Sequence, residues 1–352
     1  MTSRKHYAEI SAAKGLLIIL MVIGHSGVPQ TIGEPLSLLR MPCFFMISGY
    51  LFKEKYLNNT TQFVSKKIKG LYFPFVKWSF IFLLLHNFFY HINLYNTEYG
   101  RNEFLSQTKQ ILTMTGSEQL LGGFWFLKEL LYASIISFTV FKLLSLFKLR
   151  LNLVMLLVCT VFFMVLAYIQ SIIPYKVPTI GSQTFMATSY FIAGAALHRA
   201  DMLFTNINKL KCGIVLFVSF ILLSQFVKGT INSQGHTIFP YYAVSIIASI
   251  SAIYLTRYLG KQVMSALDYV GKRTLYILIF HFISFKIVSF VFIATKSSSI
   301  TELASFPIVE NNSPFLWIIY SIAGVIVPLL IKHGTDKFSS LYKNCNIFKK
   351  RE

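Results

Sequence analysis

Long apolar runs, separated by short polar segments, fill almost the whole chain of 352 residues. A helix that crosses a bilayer needs about 20 mostly apolar residues, because each residue advances it by about 1.5 Å. The runs predict about ten transmembrane helices in an all-α, polytopic membrane protein. The second and sixth runs are short, so half-spanning or tilted segments are possible there. The predicted spans are 15–33, 36–52, 71–92, 120–141, 151–171, 184–198, 212–228, 240–256, 274–295 and 315–331.

The basic residues between these spans predict the orientation of the chain, because Lys and Arg concentrate in cytoplasmic loops. With the N-terminus inside, 24 of the 33 Lys and Arg residues fall in inner segments and six fall in outer segments. We therefore expect both termini in the cytoplasm and a basic cytoplasmic tail over 332–352. The longest segment between spans, 93–119, is too short to form a soluble domain. The chain 1–352 is therefore expected to be one membrane-embedded domain.

The composition excludes several other classes of protein. Hydrophobic residues make up 55% of the chain and charged residues 13%, against about 25% charged residues in a soluble domain. The net charge of +20 would suit nucleic acid only if the basic residues clustered on one face, and here they are spread between apolar runs. The four cysteines lie far apart without ligand spacing, so neither a disulfide framework nor a metal site is expected.

Three ionisable residues lie well inside predicted spans: His25, Glu129 and His281. Such residues are costly in a bilayer and are functional candidates by default. The rise per residue places all three near the midplane, where a compact bundle could bring them to one site. A structural role stays open for each of them, such as a histidine bonded to a nearby carbonyl or a polar helix face formed with Lys128.

The spacing of Lys14 and His25 is the most informative of these patterns. Eleven helical residues turn the chain about 20° beyond three full turns, so both side chains share one face, about 16 Å apart along the axis. This arrangement suits a long anionic ligand that enters from the cytoplasm, with its phosphates at Lys14 and its reactive end at His25. Histidine is the natural proton acceptor near neutral pH, so His25 is a candidate general base.

Four sequence blocks resemble those of the membrane acyltransferase 3 family, the bacterial O-acyltransferases of surface polysaccharides. The Lys14 to His25 spacing is similar to the family's Lys/Arg-x10-His signature, and 40–51 (RMPCFFMISGYL) is similar to its P-x-F-F-x-x-S-G-Y/F-L block. Residues 123–127 (GFWFL) resemble its W-F-L helix, and 271–281 (GKRTLYILIFH) resemble its late helix with a histidine. The blocks occur in the family's order and extend over nearly the whole chain.

The resemblance implies transfer of an acyl group, most often acetyl, from cytoplasmic acyl-CoA to a glycan hydroxyl on the far side of the membrane. Acetyl-CoA is then the co-substrate, and the acceptor is a cell-surface or lipid-linked glycan at a bacterial inner membrane. His25 would be the catalytic histidine and Lys14 its basic partner. His281 matches a histidine that is common in the family's late helix.

The chain departs from the family at two places. The family tends to carry an Arg-x-x-Arg pair before the third helix, thought to meet CoA. Here Lys67 occupies the first basic position and Gly70 the second, unless the register shifts so that Lys66 and Lys69 serve. An acidic residue usual three positions before the basic residue of the first helix is Ser11 here. Both departures concern the contacts with CoA more than the reaction.

The remaining candidates would surround the reacting groups. Glu129 is expected to orient or protonate His25, as a carboxylate does for imidazole in catalytic triads. Trp125 and Phe126 offer aromatic faces to sugar rings, although an interfacial aromatic belt also accounts for them. Ser48 lies in a small-residue step that favours close helix packing, with a role at the oxyanion as the alternative. The residues expected to contact the acyl donor are Lys14, Lys66, Lys67, Lys69, Arg40 and Ser48.

Two other functions stay open on the sequence alone. A secondary transporter or a flippase of a lipid-linked sugar is also polytopic with charges at mid-depth, but such proteins usually show a repeated half, which this sequence lacks. A structural or assembly protein of the membrane would leave the relation of Lys14 to His25 as coincidence. Contact with anionic lipid is also enough to explain the three lysines at the start of the third helix, Lys66, Lys67 and Lys69.

Overall fold

The computed structural model describes residues 2–174, 179–310 and 313–348, and these ranges contain helices but no strands, which confirms the predicted all-α class. The α-helices are α1 (Thr2–Ile23), α2 (Gln30–Tyr50), α3 (Thr60–Lys67), α4 (Phe73–Leu84), α5 (His86–His91), α6 (Arg101–Leu112), α7 (Trp125–Leu146), α8 (Leu153–Ile172), α9 (Ser182–Leu203), α10 (Lys209–Leu223), α11 (Ile238–Thr256), α12 (Lys261–Gly271), α13 (Thr274–Lys296) and α14 (Leu316–Phe348).

A helix runs along each of the ten predicted spans. Among the described residues, five helical stretches are long and apolar enough to cross a membrane by length and composition: Trp125–Leu146, Leu153–Ile172, Gly235–Thr256, Thr274–Lys296 and Leu316–Lys337. The chain is therefore a multi-pass membrane protein, while the number of ten spans and the cytoplasmic location of the termini stay predictions. The last residues of the predicted basic tail, 349–352, lie outside the described ranges.

The first predicted span, 15–33, is divided between two helices. α1 ends at Ile23, and His25 lies in the turn that follows, where its backbone N–H bonds to the carbonyl of Val22 instead of continuing the α-helix. Gly27 in this turn has a φ of 78°, a left-handed conformation that favours glycine. Pro29 then directly precedes α2. The expectation that His25 lies inside a helix is therefore wrong, because α1 ends two residues before it.

The third predicted span, 71–92, is built from several pieces. α3 passes through a π-helical turn, Ile68–Tyr72, into α4, and α5 follows. The wider π turn changes which side chains share a face, and such turns are frequent at functional sites. It begins directly after Lys67 and contains Lys69 and Gly70, two of the positions that the sequence relates to CoA binding.

α12 was not predicted, and it packs closely across α1. A Cβ atom at Gly15 would lie 2.0 Å from the carbonyl oxygen of Leu267, and one at Gly271 would lie 1.8 Å from that of Ser11. Only glycine permits backbones to approach so closely. The Ser11 hydroxyl also donates to the carbonyl of Asp268 at 3.3 Å. α12 therefore holds α1 next to Lys14.

The segment 93–119 folds back along α4. Its helix α6 packs on α4, and the carbonyl of Leu112 accepts a hydrogen bond from the Tyr72 hydroxyl at 3.0 Å. Tyr72 lies at the predicted inner start of the third span, so this segment does not stay at the opposite end of the bundle as its predicted outer position implies. Asn87 fixes its beginning through two hydrogen bonds with the backbone of Tyr99, at 2.9 and 3.0 Å.

A cluster around Asp201 ties four helices together at one end of the bundle. The carboxylate accepts hydrogen bonds from Tyr50 and Tyr254, each at 2.8 Å, and pairs with Arg257 at 3.0 Å and Lys209 at 3.2 Å. These partners come from α2, α11, the end of α11 and α10, while Asp201 lies on α9. A carboxylate with this many donors is a structural junction, and none of these residues lines the candidate site.

Candidate active site

His25 and His281 form a direct pair. The Nδ1 atom of His25 lies 3.2 Å from Nε2 of His281, and the two rings are stacked with centroids 5.4 Å apart. His25 comes from the turn after α1, and His281 comes from α13, where it is fully buried. The two residues are separated by most of the sequence, so only the folded bundle brings them together.

Hydrogen bonds to the backbone fix the proton positions in this pair. Nδ1 of His281 lies 3.0 Å from the carbonyl oxygen of Ile277 and 3.1 Å from that of Leu278. A carbonyl only accepts, so Nδ1 of His281 carries a proton, and Nε2 of the neutral ring is an acceptor. Nδ1–H of His25 therefore donates to His281. The lone pair of His25 is assigned in this way to its Nε2 atom.

Aromatic packing holds the His25 ring in place. Phe282 stacks on His25 with centroids 5.2 Å apart and contacts the ring of its neighbour His281 at 3.9 Å. The Phe282 side chain is 2% exposed. One side of the imidazole is therefore covered by hydrocarbon, and the ring also borders a cavity.

This cavity has a volume of about 330 Å³, and both Lys14 and His25 line it. α1, α2, the π-helical turn, α7 and α13 supply its walls. Its lining residues include Lys14, Ile18, Met21, His25, Arg40, Ser48, Gly70, Trp125, Phe126 and Thr274. We use "the Lys14 end" for the end of the bundle at which Lys14 lies. We use "the far end" for the opposite end, which α13 approaches beyond His281.

A group of lysines lies at the Lys14 end. The Lys67 ammonium stands over the rings of Phe63 and Phe191, at 5.5 and 5.6 Å from their centroids. Burial, with the nearby charges of Lys66 and Lys14 as smaller causes, lowers the pKa of Lys67 to about 8. Lys67 precedes the predicted third span. A phosphate placed among these ammonium groups would relieve their mutual repulsion.

The structure separates the three basic candidates that precede the third span. Lys66 donates to the hydroxyl of Tyr56 at 3.0 Å, and Lys69 lies exposed beside Ile68 and Phe73, on the face that turns away from the cavity. Lys69 is therefore not brought to the site. Gly70 does line the cavity, whereas Lys66 and Lys69 do not. Lys67 lies close enough to Lys14 for their charges to interact.

Arg40 lies beside the His25 turn and lines the cavity. Its guanidinium packs against Gly24, where a Cβ atom would come within 1.5 Å of Nη1, and it donates weakly to the carbonyl of Met21 at 3.4 Å. Within the described ranges, no carboxylate pairs with Arg40. A positive group close to the imidazole therefore keeps donors available to a ligand in the cavity.

Glu129 does not contact His25, contrary to the role expected for it. Its carboxylate accepts a hydrogen bond from Thr184 of α9 at 2.7 Å and lies 3.4 Å from the Lys128 ammonium. Glu129 sits on the face of α7 that packs against α9, so its carboxylate points away from the cavity. His281 takes the place of the expected carboxylate as the partner of His25.

Ser48, Trp125 and Phe126 all line the cavity. The Ser48 hydroxyl donates to the carbonyl of Phe44 at 2.9 Å, and the adjacent Gly49 lets the backbone of α9 approach closely, as the small-residue reading predicts. Phe126 packs on Phe44 at 5.4 Å between centroids, so part of its role is structural. Trp125 begins α7 and presents its ring to the cavity.

Two contacts of the site were missed from the sequence. The contact of Arg40 with Gly24 has a weak signal, since two glycines flank His25 at positions 24 and 27. Phe282 has no signal, because it is one of many aromatic residues in an apolar run. Among the described residues, no group of three or more His, Cys, Asp or Glu side chains could hold a metal ion.

Comparison of the sequence with known proteins assigns the chain to a family. The family model of the acyltransferase 3 group, described as an acyltransferase domain, matches residues 7–333. No curated protein and no solved structure matches the chain significantly. The matched region includes the cavity and both histidines. The chain therefore belongs to the membrane acyltransferase 3 family, and it is an acyltransferase of the O-acetyltransferase type.

Proposed function

We propose that this enzyme transfers an acyl group from cytoplasmic acyl-CoA to a hydroxyl of a cell-surface or lipid-linked glycan. The proposed acyl group is acetyl. The bacterial inner membrane is its proposed location. The observation that carries the proposal is the hydrogen bond from His25 to His281, because it leaves the second nitrogen of His25 as a proton acceptor beside a cavity.

His25 acts as the general base of this reaction. The acceptor hydroxyl attacks the thioester carbonyl carbon, and Nε2 of His25 takes the hydroxyl proton as the new C–O bond forms. The tetrahedral intermediate then loses the C–S bond, and the proton passes from His25 to the leaving sulfur. The products are the glycan ester and free CoA, and His25 returns to its neutral form.

His281 and Arg40 support this step in different ways. His281 is a positioning residue, which holds the His25 proton on Nδ1 and thereby keeps Nε2 as the base. The Arg40 guanidinium, packed against Gly24, is placed to stabilise the oxyanion of the tetrahedral intermediate. This role differs from the donor contact that the sequence suggests for Arg40, since the guanidinium lies next to His25.

The acyl donor occupies the cavity from the Lys14 end. The phosphates of CoA bind at Lys14 and Lys67, and the thioester reaches His25 about 16 Å away along α1. Lys66 adds positive charge at the entrance. The ring of Trp125 is the proposed surface for the acceptor sugar, because aromatic faces stack on the apolar faces of sugar rings.

Transport of a lipid-linked sugar is the competing function. It would also use a polar cavity in the membrane, but it gives no reason for a histidine whose tautomer is fixed by a second histidine. Family membership favours the enzyme as well.

The decisive experiment uses purified protein in nanodiscs, labelled acetyl-CoA and surface glycan isolated from a strain that lacks the gene. We expect label to enter the glycan with the wild-type protein and not with His25→Ala. Equal transfer by the variant would contradict the role of His25. Absence of transfer by the wild type, together with uptake of the glycan carrier into vesicles, would favour the transporter.

A further inference from the structure

A buried lysine in α13 plays no part in the mechanism above. Lys286 lies beyond His281 towards the far end of the bundle and is 3% exposed. Its ammonium donates to two backbone carbonyls, those of Leu303 and Ser305. An ammonium is expensive to bury in a membrane protein, and it is usually retained for a function.

The two carbonyls belong to one segment, 303–308, which we call the strap. The strap begins in the last residues of a short 3₁₀ helix, Ile300–Ala304, in the connection from α13 to α14. Leu303 and the nearby Val309 are buried with Ile293 of α13 in a small separate cluster. Lys286 thus bonds the first half of the strap, and apolar contacts fix Leu303 at its start and Val309 directly after its end.

The strap covers the His25 and His281 pair on the side away from Lys14. The ring of Phe306 packs on Phe282 with centroids 4.6 Å apart, and Phe282 in turn stacks on His25 at 5.2 Å. Ile308 fills the space next to Gly27, where a Cβ atom would come within 2.3 Å of it. Two side chains of the strap therefore lie between the His25 turn and the far end.

Phe306 also covers the gap between α13 and the start of α7. A Cβ atom at Gly122 would lie 3.2 Å from the Phe306 ring and 3.3 Å from the ring of Phe282. The Phe306 side chain is nevertheless 37% exposed. Phe306 therefore lies, partly exposed, on the outer side of Phe282, which in turn covers His25 and His281.

We infer that Lys286 is a positioning residue whose hydrogen bonds hold the strap closed over His25 and so control what reaches His25 from the far end. This inference rests on the proposed function for its catalytic meaning, because the acceptor must approach from the side opposite the acyl donor. The closed strap excludes water, which would otherwise take the acyl group and release the free acid and CoA. The acceptor reaches His25 by displacing Phe306.

The test replaces Lys286 with methionine, which keeps the length and apolar stem of the side chain and removes its N–H donors. The readout is the rate at which diethyl pyrocarbonate, a small reagent for unprotonated histidine, labels His25, followed by mass spectrometry of the peptide. We expect this rate to rise about tenfold or more, because loss of both hydrogen bonds of a charged group should open the strap more often. Exposed His236 is the internal reference for reagent concentration.

Three further variants serve as controls for Lys286→Met. Lys142→Met makes the same change at a lysine that also donates to a carbonyl, that of Leu57, but at the opposite end of the bundle, and it should leave His25 labelling unchanged. Lys286→Arg keeps donors and should restore most of the protection. Phe306→Ala removes the exposed cover without touching Lys286 and should also raise the labelling rate, which keeps the test valid if Lys286→Met fails to fold.

A second measurement links the strap to catalysis. Acetyl-CoA hydrolysis without an acceptor should rise in Lys286→Met, while the KM for acetyl-CoA should stay the same. Unchanged labelling of His25 in folded Lys286→Met and Phe306→Ala would overturn the inference, whatever the transfer activity. Faster labelling in a protein that neither hydrolyses nor transfers acetyl groups would leave the strap in place and contradict the proposed function instead.

Discussion

The guanidinium of Arg40 occupies the space that a side chain at residue 24 would need, with Nη1 1.5 Å from the position of a Cβ atom on Gly24. The turn that carries His25 and the helix that carries Arg40 are thereby fitted to each other. Glycine at this position sets the distance between the proposed base and the proposed oxyanion donor.

Gly24→Ala is expected to push the guanidinium away from His25. A displacement of about 1 Å in a reacting site can lower the rate about a hundredfold, and we expect a decrease of that order in kcat. Steady-state transfer from acetyl-CoA measures it. Gly334→Ala is the matched control, because a Cβ atom there meets nothing within 4 Å. Full activity in Gly24→Ala would show that the position of Arg40 is not critical.

His281→Phe should remove the acceptor that holds the proton on Nδ1 of His25. We expect kcat to fall by about 10² or more, the usual contribution of a positioned base, with little change in the KM for acetyl-CoA. His281→Gln keeps an acceptor oxygen and should retain more activity than the phenylalanine variant. Equal loss in both variants would point to a packing defect, which the thermal midpoint of each would reveal.

Gly70→Arg should improve the binding of acetyl-CoA. Gly70 lines the cavity, and a Cβ atom there meets nothing within 4 Å, so an added side chain has room beside Lys67. A new charged contact with phosphate should lower the KM about fivefold or more, and less so at high salt. Lys69→Ala, on the face that turns away, should leave the KM unchanged. An unchanged KM in Gly70→Arg would place the phosphates elsewhere.

The pH dependence of kcat/KM for acetyl-CoA should report the charge of Lys67. Because burial lowers the pKa of Lys67 to about 8, the ammonium is charged below that pH and becomes neutral above it. Attraction for the CoA phosphates should therefore weaken as the pH rises through about 8, and kcat/KM should fall. In Lys67→Arg the group stays charged, so this fall should disappear. A profile identical in both proteins would remove Lys67 from the donor site.

Glu129→Gln tests whether the carboxylate is catalytic. Its hydrogen bond with Thr184 predicts a structural role, so we expect kcat to change by less than about tenfold, below the 10² to 10⁴ typical of a general acid or base. The thermal midpoint should fall slightly. A loss as large as that of His281→Phe would restore Glu129 to the reaction.

The sequence predicts the helical class, which depends on local periodicity. It also relates Lys14 to His25, although α1 ends before His25 and the two residues do not share one continuous helix. It does not predict the pairing of His25 with His281, because the proximity of α1 and α13 is a property of the packed bundle. Glu129 illustrates the same limit. Its depth in the membrane follows from the sequence, but the direction of its side chain depends on which face of α7 meets α9.

The error at the end of α1 has a local physical origin. Periodic hydrophobicity continues past Ile23, so the sequence favours a helix through His25, whereas Gly24 and Gly27 permit a tight turn there. The π-helical turn at Ile68–Tyr72 is likewise invisible in a hydrophobic pattern. It decides that Gly70 and not Lys69 faces the cavity.

The close contacts of α12 with α1 at Gly15 and Gly271 give the donor site a fixed length. Because α1 can neither slide nor rotate against α12, the distance between Lys14 and His25 is fixed. One residue inserted between them would turn the lysine by about 100° and move it by about 1.5 Å relative to the imidazole. The fixed distance would select acyl donors by the separation of their phosphates from their thioester. Short thioesters that lack the phosphates would make only the contacts near His25.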